Sequence, residues 1–295
     1  WQHRGYFTPD KYTSLLIQSS TNEGATSFQD TGPGFKKMQF NGTDAYLASG
    51  TTTYRQTDLS GSIATWFKWD GTVNKYLFAF TQSSDYFYFY VRASDLYIDY
   101  RDDGTDNSRV AGATASGFNT GDYQHLVITQ SGDGDDPEPF KVYINGSKVA
   151  YNPSDHNAKA HHLMWLGAFD ATNFVIGAYQ NTGGSASGFI GMLMTQFAVW
   201  GGTTVNATGA VLSASDVSAL YALGPNGNVK TDYSTGLVDY YTMGNLTGLG
   251  DDLVTSGTLV YSQVSGGQNL TKGGTISAPF AGHTITASSA PLHKT

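Results

Sequence analysis

The chain of 295 residues carries 36 Gly, 19 Tyr and 16 Phe but only 14% charged residues, a strand-and-turn vocabulary short of the residues that build helical proteins. A formal net charge of −8, with 16 dispersed Lys and Arg, leaves no basic stripe for neutralising phosphates and argues against nucleic acid as a partner. Cys is absent, which excludes disulfides and thiolate metal sites, and the longest apolar run, residues 189–200, is broken by Thr195 and Gln196 and is too short for membrane insertion as a helix.

Short alternating runs separated by Gly, Asn and Asp clusters recur along the chain, the spacing of an antiparallel β-sandwich or barrel. In chain order, strands are expected at 15–18, 38–40, 45–48, 62–69, 76–82, 86–93, 96–101, 123–130, 140–144, 148–151 and 174–178, with 189–200 as one strand or two. Asn145-Gly146 predicts a two-residue type I′ hairpin, because that turn needs positive φ at both positions. One helix is expected over 212–223: Ser213 is a good N-cap with Asp216 three residues on, Val217, Leu220 and Tyr221 share a face, and Gly224-Pro225 stops it. Beyond Gly224 the texture turns Gly/Ser/Thr-rich, with weaker periodicity at 237–241, 258–262 and 284–287. The expected organisation is therefore a sandwich over 1–224, with its core at about 38–223, and a β-rich arm over 225–295.

The run Tyr86-Phe87-Tyr88-Phe89-Tyr90-Val91 is the most telling. Strand periodicity sends Phe87, Phe89 and Val91 to one face and Tyr86, Tyr88 and Tyr90 to the other, where Tyr97 of the next strand joins them. Three fates are open to such a ladder: cover within the chain, burial in a protein interface, or stacking on sugar rings. Two acidic stretches, Asp133-Gly134-Asp135-Asp136 and Asp99 with Asp102, Asp103 and Asp106, offer hard oxygens to calcium, against the plainer role of capping their own loops. Of these, Asp133, Asp135 and Asp136 are the candidate calcium ligands, and no other cofactor is expected. His156, His161 and His162 share a loop but keep no recognised metal spacing. Glycoside hydrolysis needs two carboxyl groups flanking the bond. The chain has only Glu23 and Glu138, neither at an alternating strand position beside a second carboxylate, so no catalytic residue is assigned.

In order along the chain, Phe40-Asn41-Gly42-Thr43-Asp44-Ala45-Tyr46-Leu47, Ile63-Ala64-Thr65-Trp66-Phe67-Lys68, Tyr123-Gln124-His125-Leu126-Val127, Val142-Tyr143-Ile144-Asn145-Gly146, Phe174-Val175-Ile176-Gly177, Phe189-Ile190-Gly191 and Leu212-Ser213-Ala214-Ser215-Asp216-Val217 resemble the laminin G-like, or concanavalin A-like, jelly roll. The resemblance implies an all-β antiparallel sandwich with one short helix and says little of the ligand. Where the family commonly has an acidic pair, this chain has Met194-Thr195. Forms of the domain in structural proteins of marine bacteriophages are similar to Leu15-Leu16-Ile17-Gln18, Phe28-x-Asp30 and a His-Thr-Ile-Thr-Ala strand ahead of the Phe40 segment. Here Gly282-His283-Thr284-Ile285-Thr286-Ala287 lies near the C-terminus instead, so the tail either completes its own sandwich or pairs with a neighbouring copy. The resemblance points to a non-enzymatic structural or decoration protein on a virion surface, or otherwise extracellular, forming homo-oligomers or contacting other virion proteins. The alternatives are a carbohydrate-binding adhesin that contacts a surface glycan and, less favoured, a divergent glycosidase.

Overall fold

The computed structural model describes residues 37–50, 53–83, 85–92, 95–102, 106–113, 122–132, 136, 138, 140–150, 165–167, 171–180, 184–225, 227–243 and 259–276, with the backbone of 17–19, 27–30 and 284–286. The strands are β1 (Ile17–Ser19), β2 (Ser27–Asp30), β3 (Met38–Asn41), β4 (Tyr46–Ala48), β5 (Ser60–Trp69), β6 (Lys75–Gln82), β7 (Asp85–Arg92), β8 (Asp95–Asp102), β9 (Asp106–Ala113), β10 (Tyr123–Gln130), β11 (Phe140–Ile144), β12 (Ser147–Lys148), β13 (Asn173–Ile176) and β14 (Gly191–Gly202). Helices α1 (Ala214–Leu223) and α2 (Val229–Asp232) follow, then β15 (Leu237–Tyr241), β16 (Leu259–Val260), β17 (Leu270–Gly273) and β18 (Thr284–Thr286).

Two antiparallel sheets form a sandwich of the concanavalin A-like type. The smaller runs β12-β11-β10-β5-β14-β15, with β3 also on β14; the larger runs β16-β17-β4-β13-β6-β7-β8-β9. Alternation decides which side chains fill the space between them. Phe78 and Phe80 of β6 and Phe87 and Phe89 of β7 point inward from the larger sheet, against Ile63 and Phe67 of β5 and Phe197 and Val199 of β14 from the smaller, all buried in one cluster. Phe78 meets Phe197 edge to face at 5.1 Å between ring centres, the geometry that ring quadrupoles favour.

Residues 189–200, readable from sequence as one strand or two, hold a single long strand. In β14 a bulge between Met194 and Gln196 shifts the pairing with β5 without breaking it. The Asn145-Gly146 turn has φ of 50° and 78°, as the type I′ hairpin requires. Ser213 caps α1 reciprocally with Asp216, each side chain bonded to the other's backbone. The helix covers the outer face of the smaller sheet through Val217 and Leu220, which pack with Ala64, Val127, Ala198 and Trp200.

After α1 the chain returns to both sheets. β15 pairs with β14, and β17 pairs with β4 over Thr271–Gly273 and residues 46–48, with β16 outside it. Val260 and Leu270 enter the main core. Buried Asp239 of β15 ties the layers: its Oδ2 accepts from the Tyr54 hydroxyl at 2.9 Å and its Oδ1 from the Gln268 N–H at 2.6 Å. The backbone of β18 pairs with β2, which pairs with β1, in a separate three-stranded sheet.

Candidate functional site

The outer face of the larger sheet carries the tyrosines. Antiparallel pairing of β7 with β8 sets Tyr90 opposite Tyr97, and Tyr88 opposite Asp99. A register shift between Tyr76 and Phe78 in the β6–β7 ladder turns Tyr76 onto this same face. Tyr179, beyond β13, folds back over it and is held by a two-way backbone bridge with Ser187. A Cβ at Gly188 would lie 2.5 Å from the Tyr76 ring, so glycine is needed where this loop crosses. All four tyrosines expected from the sequence, Tyr86, Tyr88, Tyr90 and Tyr97, thus lie in one cluster with Tyr76, Tyr179 and the small floor residue Ala79.

The rings pack on one another. Tyr86 and Tyr88 stack at 4.1 Å with planes 5° apart, and Tyr90 and Tyr97 stack at 5.5 Å and 27°. Tyr76 meets Tyr88 at 5.1 Å in a T-shape and Tyr179 at 4.6 Å. Tyr88 and Tyr90 are consequently only 8% and 9% exposed, although they lie on the sheet's outer face, while Tyr76, Tyr86, Tyr97 and Tyr179 are half-buried. A ring whose flat face is covered by a neighbour presents its edge and its hydroxyl. The Tyr90 hydroxyl donates to Asp99 Oδ2 at 3.0 Å. Burial, with smaller contributions from Tyr179, Asp99 and Tyr86, pushes the Tyr76 phenol up to about 12, and burial raises Tyr88 further, so both remain neutral hydrogen-bonding groups at physiological pH.

Of the proposed calcium ligands, Asp133 and Asp135 lie outside the described residues. Asp136 is described, and its oxygens already have partners. Oδ1 accepts from the Glu138 N–H at 2.9 Å, and Oδ2 from Lys141 Nζ at 3.2 Å and Ser131 Oγ at 3.3 Å. These contacts hold its carboxyl below the usual range, the Glu138 N–H contributing most. Glu138 is ion-paired with Lys148 at the edge of the smaller sheet. Glu23, His156, His161 and His162 lie outside the described residues, as do Asp103 and the side chains of Asp102 and Asp106. Among the described residues, no three His, Asp or Glu are grouped to hold a metal.

Sequence reasoning did not include Tyr76 or Tyr179. Simple alternation from Phe78 and Phe80 sends Tyr76 inward, and only the ladder irregularity reverses it; Tyr179 belongs to a loop without periodicity.

A family model described as the Concanavalin A-like lectin/glucanases superfamily matches residues 41–208. No curated protein sequence matches the chain. Among solved structures the chain is similar to the native heptameric SAP-like pentraxin from Limulus polyphemus, at 19% identity over 64% of this chain and 82% of that one, with a TM-score of 0.45. It is also similar to the CBM40 of the Ruminococcus gnavus IT-sialidase, at 15% identity over 63% and 96% of the two chains and a TM-score of 0.44. A third similarity is to the binding domain of botulinum neurotoxin serotype D, at 15% identity over 72% and 52% and a TM-score of 0.40.

Proposed function

We propose that this chain, which belongs to the Concanavalin A-like lectin/glucanases superfamily, is a non-catalytic surface module whose tyrosine face docks onto a second copy of itself. The setting proposed is a virion surface, from the resemblance of the Phe28-x-Asp30 and His283–Ala287 segments to bacteriophage structural proteins. One observation carries the docking reading. The rings are stacked on each other, so the face offers a row of phenol edges in place of flat aromatic platforms. Sugar recognition by stacking needs an open ring face. Phenol hydroxyls, which both donate and accept, suit a self-complementary contact between identical copies, and buried tyrosines contribute strongly to such contacts. The lack of catalysis is supported by Glu138, which faces Lys148 and not a second carboxylate.

The test uses the rim residues, whose loss leaves the core intact. Tyr86→Ser with Tyr97→Ser is expected to weaken self-association in sedimentation by at least about tenfold, as loss of interface tyrosines does, with melting unchanged within a few degrees. Unchanged association would overturn the docking reading. A second reading, glycan binding, keeps the support of Asp99 as a polar anchor beside Tyr90. It would be favoured by a glycan-array signal that the same double variant removes.

A further inference from the structure

Helix α1 ends on an imidazole that the fold leaves without a partner at one nitrogen. His125 of β10 lies opposite Trp66 of β5; it is 2% exposed, and its Nδ1 has no hydrogen-bond partner among the described residues. Trp66 and His125 stack at 4.8 Å and 27°. Tyr221, in the last turn of α1, lies over both, 5.5 Å and 13° from Trp66 and 6.0 Å from His125. The exposed ring of this stack, at 41%, belongs to the helix and the covered rings belong to the sheet. Beside them a pocket lined by Trp66, His125, Gln196, Leu220, Leu223 and Gly224 separates the helix end from the sheet, so this turn is the loosest part of the cover.

The titratable or charged side chains on this face around the imidazole are Lys68 of β5, Tyr123 of its own strand, Tyr143 of β11 and Tyr221 of α1. None is a carboxylate, and Asp216, the only acid of α1, lies at the opposite end of the helix. An imidazolium formed here has no anion to pair with, and only the ring faces of Trp66 and Tyr221 offset part of its lost hydration.

We propose that His125 is an acid-sensitive latch: on protonation it leaves the stack, the last turn of α1 lifts with Tyr221, and the apolar strip of Trp66, Val127 and Ala198 becomes exposed. Burial lowers the His125 pKa to about 3 from the ordinary 6.5. A depressed value means that the closed arrangement is fully favoured above 6.5 and loses that advantage as pH falls toward 3. With the lifted state titrating normally, its population relative to the closed state rises up to roughly thirtyfold between pH 8 and pH 5.

Because the chain has no Cys, one introduced thiol reports the opening. Ala198→Cys, beneath the helix, is to be labelled with a dithiodipyridine across pH 5 to 8, its rate divided by that of an unfolded Cys peptide. The expected result is a normalised rate that climbs on acidification by ten- to thirtyfold, with Ala198→Cys/His125→Gln flat. A flat profile in the single variant, or an equal climb in the double variant, overturns the latch. A matching climb at Ala45→Cys in the main core also overturns it, because the event is then global unfolding. Should the thiol variants misfold, hydrogen exchange of the Leu220–Gly224 amides in the unmodified chain, corrected for intrinsic rates, must show the same acid-dependent opening, and its absence overturns the proposal.

Discussion

Leu270→Ala tests whether the segment after α1 is part of the same cooperative core. Leu270 is fully buried among the main cluster, on a strand that meets β4 through only three residue pairs. Removing three carbons costs about 2.4 kcal/mol of transfer free energy at about 0.8 kcal/mol per methylene. The cavity adds about 24 cal/mol per Å³ of whatever volume fails to collapse, for a total of about 3 to 4 kcal/mol. The assay is guanidinium unfolding followed by tryptophan fluorescence, at two protein concentrations tenfold apart. A single transition with unchanged slope, shifted by that amount at both concentrations, is expected. A loss below about 1 kcal/mol, or a separate early transition for the arm, would refute the shared core. A loss that depends on concentration would assign the packing partner to another copy.

Asp239 predicts a pH dependence. Burial raises its carboxyl above the model value of 3.8, against the lowering effect of the Tyr54 and Gln268 hydrogen bonds. A raised folded value means the group contributes stability below its unfolded pKa and loses it as pH rises through the folded one. Relative to Asp239→Asn, the native chain is expected to lose stability on going upward from about pH 4, and a flat or rising difference between the two unfolding curves would contradict this. Arg55 grips the fully buried Asp58 with two hydrogen bonds of 2.6 and 2.7 Å. Arg55→Ala is expected to cost about 3 kcal/mol, less than a fully buried pair because Arg55 is partly exposed, with much of it recovered by adding Asp58→Asn in a double-mutant cycle. Gly146→Ala places a Cβ in the left-handed region and 3.0 Å from Tyr221. It is expected to cost about 1 to 2 kcal/mol, read in thermal melts, and a neutral result would mean that the turn relaxes freely.

The tyrosine strand shows how far pattern reaches. Alternation alone separates Phe87 and Phe89 from Tyr86, Tyr88 and Tyr90, since a two-residue period follows from the pleat. It carries no information about what the outward rings do, because their mutual stacking depends on Tyr76 and Tyr179, whose positions come from a ladder irregularity and a loop. The same limit applies to the strands. The Asn145-Gly146 hairpin and the Ser213 cap are local signals with a single physical solution. β9 (Asp106–Ala113) and β17 (Leu-Thr-Lys-Gly) have almost no apolar period and owe their form to the neighbour they pair with. His125 illustrates a third limit. Its place on a strand is readable from the residues around it, but its burial depends on a helix nearly one hundred positions away.

β14 has a mechanical consequence. It pairs with β5 along most of its length, while its other side carries β3 at one end and β15 at the other, both antiparallel to it. Tension applied between the segments before β3 and after β15 therefore acts along the strands, across hydrogen-bonded ladders lying side by side. Such a load shears many bonds at once, where a hairpin pulled from its open end parts one pair at a time. A module joined to its surroundings through those two segments would hold as a clamp under drag.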